Sequence, residues 1–137
     1  MKARSRRLLS TSLLMAAALA GCADSGTEPS APSVTGTWTG RATVNADFAP
    51  TFRLTLLQSD AGSITGSGHL ATDDGDYSVD VMIGAGVSDF PAVNFAILNP
   101  SRGDILFSGT LDRAGSRIQG DLSGSGMEGV RLVLERQ

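Results

Sequence analysis

The sequence predicts an all-β domain: an antiparallel up-and-down meander of about eight short strands that closes as a small β-barrel. Three observations carry this reading. From Val34 onward, apolar and polar residues alternate at period 2 in separate short runs. Turn-forming residues punctuate the gaps between those runs. The gaps are too short to hold crossover helices, and no stretch beyond Val34 sustains a 3.6-residue period, which disfavours parallel pairing.

The runs follow in order. In the first, Val34, Gly36, Trp38, Gly40, Ala42 and Val44 share one face, and Thr35, Thr37, Thr39, Arg41 and Thr43 share the other. Phe52, Leu54 and Leu56 then alternate with Thr51, Arg53 and Thr55. Ile64, Gly66, Gly68 and Leu70 alternate with Ser63, Thr65, Ser67 and His69. Tyr77, Val79, Val81 and Ile83 alternate with Ser78, Asp80 and Met82. Val93, Phe95 and Ile97 form a fifth set, and Ile105, Phe107, Gly109 and Leu111 a sixth. Ile118, Gly120 and Leu122 form the seventh, and Val130, Leu132 and Leu134 the last. Asp60-Ala61-Gly62, Asp74-Gly75, Asn99-Pro100-Ser101-Arg102-Gly103 and Arg113-Ala114-Gly115 read as hairpin connections.

Strands with one apolar face need that face covered. Closure into a barrel covers it and removes both edges. A two-sheet β-sandwich is the alternative. Glycines recur on the inward face at Gly36, Gly66, Gly68, Gly109 and Gly120. They weaken strands, so they must relieve crowding, admit Trp38, permit strong coiling or leave a cavity. A barrel of eight strands is either just filled or holds one small ligand. Trp38, Phe52, Tyr77, Phe95 and Phe107 are expected to face the interior, as core or as the lining of an apolar ligand pocket.

The N-terminus reads as an address. Lys2, Arg4, Arg6 and Arg7 precede an apolar stretch from Leu8 to Ala20, too short to span a bilayer as a helix but suited to a signal peptide. It ends in Leu19-Ala20-Gly21-Cys22, and Cys22 is the chain's one cysteine. This motif resembles the lipobox of bacterial lipoproteins. The resemblance implies a signal peptide over residues 1–21, cleavage between Gly21 and Cys22, and acylation of the Cys22 thiol. Two or three acyl chains there would anchor the protein to a membrane. Ala23 rather than Asp follows the cysteine, which in that family favours the outer membrane, facing periplasm or surface, where the source has one. Residues 22–33, rich in Ser and Pro, form a flexible tether, and residues 34–137 form the barrel domain.

Removing the four N-terminal cations leaves 7 basic against 14 acidic residues, a net of −7. That disfavours nucleic acid as a partner. Val34-Thr-Gly-Thr-Trp38, followed by an alternating strand and Gly62-Ser-Ile-Thr-Gly66, resembles the opening of calycin-like barrels of the avidin and lipocalin type. The avidin ligand residues do not carry over: Gly40 and Gly68 stand where that family places asparagine and tyrosine.

The remaining motifs are weak. Gly124-Ser-Gly126-Met-Glu-Gly129 matches G-x-G-x-x-G but reads as a hairpin loop, because a strand rather than a helix follows. Asp73-Asp74-Gly75-Asp76 lacks EF-hand spacing and reads as an acidic hairpin tip. His69, the one histidine, falls on a polar strand face, and no second His or Cys beyond Val34 completes a zinc site. No metal or cofactor is implied and no catalytic residue is assigned. The expected function is a non-enzymatic, membrane-anchored envelope module that binds a small apolar ligand. The alternative is a structural or protein-interaction lipoprotein with a packed core that acts through its surface loops.

Overall fold

The computed structural model describes residues 30–137. Cys22 and the segment expected to be a signal peptide lie outside them. The strands are β1 (Gly36–Arg41), β2 (Thr51–Gln58), β3 (Ser63–Ala71), β4 (Ser78–Asp89), β5 (Ala92–Leu98), β6 (Ile105–Leu111), β7 (Arg117–Ser123) and β8 (Val130–Arg136). Each pairs antiparallel with the next, and β8 closes on β1 through Gly40↔Leu134. The molecule is the all-β up-and-down barrel, not the sandwich, and the described residues contain no helix.

Alternating strand direction sorts the connections to two ends. The loops 42–50, 72–77, 99–104 and 124–129 gather at one end, the mouth. The loops 59–62, 90–91 and 112–116 gather at the other, the base, together with the residues that lead into β1.

The inward residues form one core that runs through Trp38, Phe52, Leu54, Ile64, Leu70, Ile97, Phe107, Ile118 and Leu134. Full burial of each large side chain contributes about 1.5–3 kcal/mol. Phe95 and Phe107 stack with ring centroids 4.9 Å apart. Space over the inward glycines is occupied. A Cβ on Gly109 would lie 2.7 Å from Cζ of Phe107, and one on Gly68 would lie 2.5 Å from Cδ2 of Leu54. A Cβ on Gly86 would lie 3.1 Å from that of Phe95. Side chains of the same or neighbouring strands therefore cover Gly68, Gly86 and Gly109, whereas a Cβ on Gly66 or Gly120 would strike the backbone of the neighbouring strand. Of the roles open to these glycines, relief of crowding is the one the structure displays.

The base is closed by Arg136. Its guanidinium lies 4.4 Å from the Trp38 ring centroid. Its Nε donates to the Gly115 carbonyl at 2.7 Å, Nη1 to Thr35 at 2.6 Å and Nη2 to Ser33 at 2.7 Å. Trp38 Nε1 donates to the Val34 carbonyl at 2.8 Å. One cation thus satisfies three carbonyls and holds the chain leading into β1 across the bottom of the core.

Two local features depart from the simple alternation. The fourth run is longer than its apolar pattern. At Gly84-Ala85-Gly86 it carries a β-bulge, where both neighbouring strands step by two residues while β4 steps by three. Ala85 takes φ +49°, and beyond it the phase flips, so Gly86 is buried and Val87 is exposed. Tyr77 does not enter the interior. It lies at the mouth, partly buried, just before β4 begins.

Candidate functional site

All four mouth loops converge on one cleft of about 680 Å³. Loop 42–50 supplies Asn45, Asp47 and Phe48; loop 72–77 supplies Thr72, Asp74, Asp76 and Tyr77. Arg102 enters from loop 99–104, and Ser125, Gly126 and Met127 enter from loop 124–129. The volume falls in the range of small-molecule and peptide sites. Met127, 1% exposed, forms the floor and seals the core from above.

The centre of the cleft is a cation held by two rings. The Arg102 guanidinium lies 4.5 Å from the Phe48 centroid and 4.8 Å from that of Tyr77. The two rings meet edge to face, 5.4 Å apart. Each such contact contributes about 0.5–1 kcal/mol at an exposed site. Among the described residues Arg102 forms no ion pair, although Asp47, Asp74 and Asp76 line the same cleft.

Asn99 organises this arrangement from below. It is 3% exposed, the one buried polar residue among those described. Its Nδ2 donates to the Tyr77 hydroxyl at 2.7 Å. Its Oδ1 accepts from the Ser101 amide at 2.9 Å, the Ser101 hydroxyl at 3.1 Å and the Arg102 amide at 3.3 Å. One amide therefore fixes both the ring and the turn that carries the cation. Ser125, at φ +57°, ties the fourth loop in by donating its hydroxyl to the Arg102 carbonyl at 2.8 Å.

The acidic tip is a self-bonded turn. Asp74 accepts from the Thr72 hydroxyl at 2.6 Å and from the Asp76 amide at 3.0 Å. The Thr72 hydroxyl, then the Asp76 amide, hold its carboxyl below the ordinary carboxylate range. Asp73 turns away and pairs with Arg41 at 2.9 Å. Among the described residues no group of three or more His, Cys, Asp or Glu side chains is placed to share a metal ion.

Of the aromatics expected inside the barrel, Trp38, Phe52, Phe95 and Phe107 are there, packed against one another's neighbours in the core. Tyr77 alone reaches the cleft. Gly124 to Gly129 form the β7–β8 loop, and Gly126 lines the cleft. His69 lies on the outer wall, where it contacts both Asp80 and Ser78. Sequence reasoning missed Phe48, Asn99 and Arg102 as site residues. Asn99-Pro100-Ser101-Arg102-Gly103 was legible as a turn, but only the closed barrel brings it to Phe48 and Tyr77. The chain matches no protein-family model and no curated protein sequence.

Proposed function

We propose that this protein is a lipid-anchored module of the cell envelope, held by acylated Cys22, whose packed barrel is a scaffold for a binding site at its mouth. The mouth works by contact and needs no bond-making chemistry. The observation that carries this is the convergence of four loops on one aromatic and charged cleft, above a core whose inward glycines have no room for a Cβ. The interior aromatics support the fold, and Tyr77 alone of those five contributes to recognition. Ser33 and Thr35, which lead into β1, are held by Arg136 at the base, the end opposite the cleft. An anchored barrel of this kind presents its mouth away from the membrane, to a ligand or to an envelope protein. The lipobox resemblance, with Ala23 after Cys22, supports the outer membrane where the source has one.

A photoreactive residue at Ala46 or Asp76 tests this in the native envelope, with Gln119 on the wall as the control. Mass spectrometry of the trapped species distinguishes a small molecule from a protein. A defined adduct from both mouth positions, lost on Arg102→Ala, is expected. Adducts from Gln119 alone, or none from the mouth, would overturn the reading.

A further inference from the structure

The outer wall carries a second constellation, separate from the mouth. In the β3–β4 pair His69 lies opposite Asp80, and Ala71 lies opposite Ser78. Ser78 and Asp80 are two apart on β4, so they share the outward face and bracket the imidazole. Asp80 Oδ1 is 2.7 Å from His69 Nδ1, and Ser78 Oγ is 2.9 Å from His69 Nε2. An ionised carboxylate only accepts, so Nδ1 carries the proton of the neutral ring. Nε2 then presents its lone pair to the Ser78 hydroxyl. This is the connectivity of nucleophile, base and orienting carboxylate.

Two features flank the imidazole on its β2 side, away from Ser78. Arg53 lies opposite His69 on the other side, on β2, and forms no ion pair among the described residues. A groove of about 370 Å³, lined by Thr51, Arg53, His69, Ala71, Thr72 and Asp73 but not by Ser78, runs against the imidazole.

We propose that Ser78 is a base-activated nucleophile that takes an acyl group from small activated esters. Ser78 Oγ attacks the carbonyl carbon while its proton passes to His69 Nε2. The bond to the leaving oxygen breaks, and the alcohol departs with that proton. Water, giving a proton to Nε2, then attacks the acyl-serine; the acid is released and Ser78 recovers its proton. Asp80 is a positioning residue that fixes the ring tautomer. The His69 and Asp80 side chains are 44% and 93% exposed, and water competes for both. The expected activation is therefore about tenfold over an ordinary serine, below what an enclosed base supplies.

The test uses the full chain with Cys22→Ser, exported and folded, treated with a fluorophosphonate probe and mapped by peptide mass spectrometry. Hydrolysis of p-nitrophenyl acetate is the second readout. Ser78 is expected to label about tenfold faster than the other serines. Ser78→Ala and His69→Gln should both remove that label and the excess esterase rate. Asp80→Asn should slow Ser78 labelling and shift the ring-nitrogen NMR signals of His69 away from the Nδ1–H tautomer. Label spread evenly over serines, no label, or wild-type labelling in His69→Gln overturns the proposal. If His69→Gln does not fold, unchanged Ser78 labelling in the exposed Asp80→Asn variant overturns it instead.

Discussion

The Asn99 side chain is buried at 3% exposure, and its amide groups find partners on two loops. Substituting alanine removes those partners from the Tyr77 hydroxyl and from the amides of Ser101 and Arg102 at one stroke. These groups reach water, and the Tyr77 hydroxyl keeps Ser101 Oγ at 3.2 Å, so the loss is that of ordinary hydrogen bonds, about 1–2 kcal/mol in chemical denaturation of Asn99→Ala. Amide exchange should accelerate through 99–104 while the β1–β8 seam at the base stays protected. Equal loosening at both ends would contradict the local role of Asn99. Arg136 has the same logic at the base, where a single guanidinium satisfies three carbonyls and covers Trp38.

At the level of the strand, glycine position matters more than glycine content. Gly109 faces the Phe107 ring and the Gln119 carbonyl, both of which a Cβ would strike. Gly126 at the mouth has nothing within 4 Å, and only its φ of +82° resists a side chain. Gly109→Ala should therefore destabilise by about 2–3 kcal/mol through overpacking. Gly126→Ala should cost only about 1 kcal/mol through backbone strain. Thermal unfolding of the two variants side by side checks the ordering. The bulge at Gly84-Ala85-Gly86 is an element-scale device too. It returns Gly86 to the core against Ile64 and Phe95, which continued alternation would not have done. Three small residues in a row carry no apolar or polar signature, so the phase flip was not legible from the pattern.

Over the whole molecule, closure of β8 on β1 separates a clamped base from an open mouth. Ser33, the residue before Val34, is held at the base, so on the proposed lipid-anchored reading loss of the Cys22 thiol should leave the cleft untouched. Cys22→Ser is expected to move the protein from the membrane to the soluble fraction on fractionation of the envelope, with the thermal midpoint of the barrel unchanged. Retention in the membrane would argue against the acyl anchor. Such a variant also provides the soluble protein for labelling experiments on Ser78.

The eight runs, their inward residues and most of their turns could be read from the chain because strand geometry is local: a period of two puts alternate side chains on opposite faces whatever the neighbours are. Closure follows from the need to cover the apolar faces and remove the edges, and β8 pairs with β1 to achieve it. Side-chain neighbours across strands are a different matter. They depend on register, and a shift of one residue exchanges every contact. His69 therefore read as a plain surface residue until the β3–β4 register put Asp80 opposite it and Ser78 on the diagonal. Phe48, Tyr77, Asn99 and Arg102 lie on three different loops, and nothing short of the closed barrel brings them together. The space over the inward glycines was likewise decided in three dimensions, because what a Cβ would meet there depends on the side chains and backbone of its own and neighbouring strands.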